Sequence, residues 1–518
     1  MRKPVILIAF LCTIFPAFSQ IEFQKAYGDA GSEVQTCYTV GIESLKQTPE
    51  GGYVIVGSGQ YPLSGGPKWM YVIKTDAYGD TIWASRIGEN SSTTLMGTSV
   101  IIDNQGNYVS IGWDEAQMIM VKLNPGGSVI WSKAFASSTT GCELKQTSDG
   151  GYIALGSSLY DYGSIEGINL LKTDINGNLL WMKGLIPYTT IGPLDIIQTK
   201  DKGFVVTGGS NGLRPGFAVK TDSVGNVQWT NCYGQDSIST GELISVIELP
   251  TGDLVFTGDM SSKRGVSPYW QWLLKTDKSG NPIWCRKYAD TSEVYNHGVS
   301  IVQTPDKGFA IAGNGSYGSL LKTDSTGKLT WIKYFYKEGF DAIVCTNDNG
   351  YALSGFTTYG IGAGNICLVK TDSNGNSGCN TYLFPTVVDT VNILTASLHL
   401  SDTSVNYPAS CSVFIQKGLK ITTICSSIET SVKEEKMKGS ISVYPNPSTG
   451  EFTFDLNDLN LANQELDIYN MLGEKIYTSK INTVSAQVDL SSQPPGVYLY
   501  RVVSGNAKDV YSGKLIIR

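Results

Sequence analysis

One ten-residue phrase recurs along this chain, and it constrains the fold more than any other feature. Lys74-Thr75-Asp76-Ala77-Tyr78-Gly79-Asp80 leads to Trp83. The same pattern, Lys-Thr-Asp-x-x-Gly-Asn-x-x-Trp, runs from Lys172 to Trp181, Lys220 to Trp229, Lys275 to Trp284 and Lys322 to Trp331, with Asp or Lys sometimes replacing the Asn. A weaker copy joins Lys122 to Trp131, and a seventh, from Lys370 to Asn376, has Cys379 in place of the Trp. The tryptophans at 83, 131, 181, 229, 284 and 331 are 48, 50, 48, 55 and 47 residues apart. A second signature precedes each copy: Gln47-Thr48-Pro49-Glu50-Gly51-Gly52-Tyr53-Val54-Ile55-Val56-Gly57 is the first, and related runs end at Gly112, Gly156, Gly208, Gly258, Gly313 and Gly355. Asp opening a turn and Gly closing it suit a type I turn, since Asp caps the turn backbone and Gly accepts a positive φ. The runs between turns, such as Phe204-Val205-Val206, are short and rich in β-branched or aromatic residues, which predicts strands. Four short strands per unit of about 49 residues make one blade of a β-propeller. A lone blade cannot bury both faces, whereas blades stacked around an axis can. The repeated Trp is expected to wedge between adjacent blades.

Closure of the ring can be worked out from the ends of the repeat region. Residues 21–28 resemble the strand around Ile82-Trp83, with Phe23 near the Trp position. The seventh repeat has three strands and no Trp, so the N-terminal segment is expected to supply its fourth strand and remove the open edge. The fold expected is all-β: a seven-bladed β-propeller over residues 20–380, followed by a small C-terminal β-sandwich. The repeats resemble the propeller repeats of secreted Bacteroidota proteins, which carry a Gly-Gly-Tyr strand and a Lys-Thr-Asp-x-x-Gly-Asn turn. The Asp-x-x-Gly-x-x-x-Trp element is also similar to the tryptophan-docking motif of quinoprotein dehydrogenases. The resemblance covers residues 21–380 and implies a fold rather than a chemistry.

Both ends of the chain read as addresses. Met1-Arg2-Lys3 is basic, Val5 to Phe15 is apolar apart from Thr13, and Ala17-Phe18-Ser19 is a small-x-small site. Residues 1–19 are therefore expected to be a secretory signal peptide, too short to anchor in a membrane. Cys12 lacks the small preceding residue of a lipoprotein site. Residues 381–425 fit no repeat and are expected to form an extra β segment, a strand pair on the propeller. Residues 426–440 are a charged linker with Glu429, Lys433, Glu434, Glu435, Lys436 and Lys438. Residues 441–518 alternate in strand fashion between Pro and Gly turns, which suits a small sandwich. Their motifs resemble the type A C-terminal sorting domain of the type IX secretion system: Pro445-Asn446-Pro447 with Gly450, Tyr469-Asn470 with Gly473, and Leu490 followed by Gly496-Val497-Tyr498. The resemblance implies export across the outer membrane of a Gram-negative bacterium by way of the periplasm. Type IX machinery and a sortase would be partners, and attachment to surface lipopolysaccharide, or release, would follow.

Composition narrows the chemistry. With 39 basic and 46 acidic residues the chain carries no basic footprint for nucleic acid. No later run of 18 apolar residues exists, so no transmembrane segment is expected. Nine cysteines remain after Cys12, too few for a disulfide scaffold, and no Cys-x-x-Cys pair suggests zinc or redox work. One disulfide among Cys379, Cys411 and Cys425 fits the spacing. There are two histidines, His297 and His399. A copper site or a Ser-His-Asp triad is therefore poorly supplied, and no Gly-x-Ser-x-Gly elbow is present. Asp174 and Asp372 open calcium-like loops, but their twelfth positions are Leu185 and Leu383, which cannot ligate. No cofactor, metal or catalytic residue is expected. The seven Lys-Thr-Asp lysines are expected to hold turns.

The loops between second and third strands are richer. Tyr61, Lys68, Trp69, Tyr160, Tyr162, Arg214, Lys263, Arg264, Tyr269, Trp270 and Tyr359 are expected on one face with the blade-to-blade connections. Aromatics and Arg favour recognition. Two readings compete with simple packing of these loops. In the first, a secreted or cell-surface, non-catalytic propeller binds a glycan or protein through Tyr61, Trp69, Tyr160, Tyr162, Arg214, Arg264, Tyr269, Trp270 and Tyr359. In the second, a hydrolase, lyase or quinoprotein-like enzyme acts in the central channel. The second needs grouped acids on the inner strands, where Glu43, Glu143 and Asp195 look scattered. Surface-layer duty is a third, purely structural reading.

Overall fold

In the computed structural model, every regular element among the described residues is a β-strand. Those residues are 21–378 save 29–32, 36–43, 61–67, 89–94, 115–116, 138, 161–164, 188–191, 210–214, 235–239, 262–269, 291–295 and 360–363; seven short strands between 381 and 426; and 442–518 save 457–463, 471–473 and 504–509. The expected signal peptide lies outside them. The chain divides into two compact units, Met1–Glu429 and Thr430–Arg518.

The first unit is a ring of seven four-stranded antiparallel blades, over residues 45–88, 96–137, 139–187, 192–234, 240–290, 296–335 and 338–371. The last has three strands of its own, and Phe23–Gly28 pairs with Asn365–Thr371 as its fourth. Each blade's first strand touches the first strand of the next, including blade 7 with blade 1, so these strands line the axis. Seven apolar cores lie one in each seam, and the last joins Phe23, Tyr27 and Leu368 of blade 7 to Tyr53 and Ile73 of blade 1.

The repeated phrases now have physical causes. In the turn from third to fourth strand, the Asp174 carboxylate accepts the main-chain N–H groups of Asn176 and Asn178 at 2.9 and 2.8 Å. Gly177 closes that turn at φ +74°, where a side chain would be strained. A Cβ there would lie 3.0 Å from Trp131 of the preceding blade. Every repeated Trp docks in this way on the turn glycine of the following blade: Trp83 on Gly127, Trp181 on Gly225, Trp229 on Gly280, Trp284 on Gly327 and Trp331 on Gly375. Phe23 takes the same place on Gly79 of blade 1. The aromatic that opens the second strand meets the docked ring, as in Trp131–Tyr152, Trp181–Phe204 and Phe23–Tyr53. The Gln of the second signature reaches the neighbouring blade: Gln146, Gln198 and Gln47 accept N–H groups from Asn104, Ser148 and Asn347. Trp181→Ala should therefore destabilise the ring by about 2 kcal/mol, the half-buried share of a full aromatic truncation. Calorimetry of this variant and of Trp331→Ala, in a distant seam, should give additive losses.

Residues 381–426 correct the expectation of a strand pair. They form seven separate fifth strands, one on the outer edge of each blade. Thr381–Tyr382 pairs with blade 6, Thr386–Thr390 with blade 5, Leu394–Ala396 with blade 4 and Leu400–Ser404 with blade 3. Pro408–Ala409 follows on blade 2, Phe414–Lys417 on blade 1 and Lys420–Ser426 on blade 7, against Phe23–Gly28. The segment is a belt that circles the ring against the order of the blades. Its strands are short and carry no common period, so nothing in their side chains announces them. What they use is the unpaired backbone edge of each fourth strand.

The second unit packs a three-stranded sheet, Ser442–Tyr444, Glu451–Asp455 and Ser485–Asp489, with a four-stranded one, Lys475–Ile481, Gln464–Tyr469, Gly496–Val503 and Val510–Ile517. Phe452, Phe454, Leu466, Val502 and Leu515 fill the space between them. Asn446 fastens the final strand, donating from Nδ2 to Lys514 O and accepting from Ile516 N–H. Gly450 has φ +121° and lies against Ser491, which leaves no room for a side chain. Tyr498 donates its hydroxyl to Pro494 O at 2.7 Å. Gly473 lies outside the described residues.

Candidate functional site

A propeller presents two faces. One carries the tight turns, and the other carries the second-to-third loops and the connections between blades. On the turn face the Lys-Thr-Asp lysines are consumed by structure. Lys122, Lys172, Lys220, Lys275, Lys322 and Lys370 pair with Asp103, Asp149, Asp201, Asp253, Asp306 and Asp348 at 2.8–3.0 Å. Partial burial pushes the Asp306 carboxyl up, but Lys322, the Thr304 hydroxyl and the Gly308 N–H pull it down further, to about 2. A groove of about 420 Å³ opens on this face between blades 4 and 5. Two of its lysines are engaged, Lys220 by Asp201 and Lys200 by the carbonyl oxygens of Leu249 and Pro250.

On the loop face, Trp69 and Trp270 open third strands and Tyr359 follows a second strand. Each has a cation against its ring: Arg86 at 4.4 Å from the centroid of Trp69, Lys287 at 4.3 Å from Trp270 and Lys337 at 5.0 Å from Tyr359. Lys337, in the connection from blade 6 to blade 7, also reaches the ring of Tyr336, and Tyr336 neighbours Tyr317 at 6.1 Å. Tyr317 and Tyr336 join the aromatic set although they sit in short turns rather than long loops. Tyr160 ends the strand Tyr152–Tyr160. Tyr61, Tyr162, Arg214, Arg264 and Tyr269 lie outside the described residues.

The axis holds acids that the sequence seemed to scatter. Glu143 is fully buried and accepts from the Ser99 hydroxyl at 2.7 Å and from Lys145 at 3.4 Å. Lys145 also reaches Asp195 at 3.4 Å, and Asp195 accepts from the Ser245 hydroxyl and Val246 N–H. This chain ties the first strands of blades 2 to 5 together. Its signal was in the spacing: Ser99, Glu143, Asp195 and Ser245 each stand three residues before the end of a first strand, at Ile102, Gln146, Gln198 and Glu248.

A second polar group lies nearer the loop face, in the seam between blades 5 and 6. Glu242, Asp259 and Gln271 are directly opposed on the first three strands of blade 5, which puts their side chains on one side of the sheet. His297 lies within the first strand of blade 6 and brings Nδ1 to 2.9 Å from Asp259 Oδ2. The other Asp259 oxygen accepts the Glu242 N–H at 2.9 Å. The Glu242 carboxyl rests over the bare backbone of Gly209, where any Cβ would strike it. Burial, and then the Asp259 charge, push Glu242 up to about 7, against a smaller pull from His297. The Gln271 Nε2 is buried and has no hydrogen-bond partner. Asn314, opposed to His297 on blade 6, donates to Asp341 of blade 7 at 3.2 Å. Glu242 and His297 both stand six residues before a strand end, Glu248 and Gln303, so aligned repeats would have found the pair. Among the described residues, no group of three or more His, Cys, Asp or Glu is placed to hold a metal ion. His399, Cys379 and Cys411 lie outside the described residues.

Comparison with known proteins adds the following. Residues 442–518 match the family model for a secretion system C-terminal sorting domain. An ulvan lyase of Nonlabens ulvanivorans is 31% identical over 130 residues, 25% of this chain and 20% of that enzyme. The chain thus spans about a fifth of that relative's length. Among solved structures, a Bacteroides caccae protein of unknown function is 10% identical at a TM-score of 0.36, over 60% of this chain and 93% of that one. The Dos1 propeller is 9% identical at a TM-score of 0.37, over 68% and 92%. The type IX surface component PorZ of Porphyromonas gingivalis is 9% identical at a TM-score of 0.20, over 94% and 100%.

Proposed function

We propose that this chain, a β-propeller exported through the type IX sorting domain at 442–518, binds a glycan or protein outside the cell through its loop-bearing face and does so without catalysis. No helix among the described residues is long and apolar enough to cross a membrane. Removal of the tail by a sortase, then lipopolysaccharide attachment or release, would complete export.

The observation that carries this reading is the rim of aromatics. Trp69, Trp270 and Tyr359 come from blades 1, 5 and 7 yet sit at the same end of their sheets, each beside a cation. A ring offers a stacking surface, and the cation beside it offers hydrogen bonds to hydroxyl or carboxylate oxygens. The partial likeness to an ulvan lyase makes ulvan the first polymer to test. Purified protein should be titrated with ulvan, laminarin and a panel of outer-surface proteins. Trp270→Ala and Tyr359→Ala should each weaken binding about tenfold or more, as anchor residues do. Unchanged affinity in both variants would sink the reading.

An enzyme acting at the axis is the second reading. Glu242 favours it, because a carboxyl near neutrality beside an Asp–His pair is suited to proton transfer. Release of new chain ends from a polysaccharide, lost in Glu242→Gln, would establish it.

A further inference from the structure

We propose that the seam between blades 5 and 6 is a subsite for ligand hydroxyls, such as those on the edge of a sugar ring, held by Glu242, Gln271 and His297. The inference rests on the reading of the loop-bearing face as a glycan-binding surface and names the place where that glycan is gripped.

The argument starts from an unmet donor. Gln271 is 2% exposed and its Nε2 has no partner. A buried N–H without an acceptor costs about 1–3 kcal/mol, so it implies an oxygen that the chain itself does not supply. The same nitrogen lies 3.1 Å from where a Cβ on Gly298 would be, directly after His297. On the same side of blade 5 stands Glu242, partly exposed, whose carboxyl is an acceptor. A hydroxyl both donates and accepts. Glu242 and Gln271 stand two strands, about 10 Å, apart, so separate hydroxyls of one ring would meet them, one giving its proton to Glu242 and another receiving the Gln271 N–H, with the His297 imidazole nearby. Asp259 positions both ends of the site, holding the His297 ring through Nδ1 and the Glu242 main chain through its N–H. The positions a Cβ would take at Gly209 and Gly298 are filled by the Glu242 carboxyl and by Thr257 and Gln271, so both glycines are needed for these side chains to stand where they do.

The site has a pH signature. Glu242 accepts a hydroxyl more strongly when ionised, so affinity should rise as pH climbs through about 7. The titratable groups facing it are Asp259 from the second strand of its own blade and His297 from blade 6. Blade 4 offers it the backbone of Gly209, and the third strand of blade 5 offers the uncharged Gln271 and Trp272.

The chain's two histidines make the test direct. Full-length protein labelled in its histidine rings should be titrated with galactose, rhamnose and glucuronate by NMR, and with ulvan by calorimetry. The expected result is a saturable shift of the His297 imidazole by at least one sugar, with His399 unmoved. Glu242→Gln and Gln271→Ala should weaken that sugar about tenfold, the worth of one hydrogen bond to a charged group, while each still shows one cooperative melting transition. Trp69→Ala should leave the sugar response intact and weaken only the polymer. If no sugar moves His297, or if Glu242→Gln binds as tightly as the parent, the unmet donor serves an ordered water only and the proposal falls. If the polymer binds and depends on Trp270 but not on Glu242, the loop-face reading stands and this subsite does not. New chain ends that vanish in Glu242→Gln would replace the subsite with chemistry.

Discussion

Deleting residues 21–28 is expected to abolish the cooperative thermal transition of the propeller. This strand contributes two of the most buried large side chains, Phe23 and Tyr27, to the seam between blades 7 and 1. The Tyr27 hydroxyl donates to Gly79 O at 2.6 Å, Lys25 pairs with Asp80 and Gln24 donates to Ser377. Its backbone is also paired on both sides, with Asn365–Thr371 and with Lys420–Ser426. Each aromatic truncation alone costs about 3–5 kcal/mol, and a whole domain holds about 5–15 kcal/mol. Removing the strand exceeds that margin and bares the edge of blade 7. Phe23→Ala should leave a folded ring with a lower melting temperature, and Tyr27→Phe should cost about 1 kcal/mol for one hydrogen bond. Differential scanning calorimetry of the three variants checks the series. A deletion that melts within a few degrees of the parent would mean that the ring closes elsewhere.

Glu338→Gln should stabilise the protein, and the gain should grow with pH. Glu338 opens the first strand of blade 7 with both carboxyl oxygens buried and unpartnered. Burial pushes its carboxyl from the ordinary value of 4.5 up to about 8. Between these pH values the folded chain keeps a proton that the unfolded chain has lost, so stability falls as pH rises through that window. Below 4.5 the side chain is neutral in both states and costs nothing of this kind. By pH 8 the penalty is on the order of a few kcal/mol, which Gln, neutral at every pH, avoids. Melting curves of parent and variant should nearly coincide at pH 5 and separate by several degrees at pH 9. A gap that does not change with pH would show that Glu338 is not held protonated.

The parts of the fold that were legible in the sequence are those fixed by local chemistry. Asp174 and Gly177 determine their turn from within a few residues, and Trp131 needs only the next blade's glycine to dock on. Repetition multiplied that signal until the sheets could be counted from spacing. The belt was not legible, because Pro408–Ala409 or Leu394–Ala396 needs no particular side chain to pair with an open backbone edge. The grouping around His297 was not legible for a different reason. Its partners Glu242 and Asp259 are 55 and 38 positions away by simple subtraction, and only the rung alignment of successive blades brings them together. The loop aromatics were visible as residue types, but the cations at Arg86, Lys287 and Lys337 were not, since each comes from an adjacent strand or connection.

The fifth strands act on the blades as a hoop acts on the staves of a cask. A stave cannot lean out alone while the hoop is seated, so opening one seam requires peeling a run of pairings that continues around the rim. The hoop also dictates an order of assembly. Its final turn, Lys420–Ser426, rests on Phe23–Gly28, which has no seat until the last blade exists. A chain with a gap in its wall therefore has nowhere to seat that final turn.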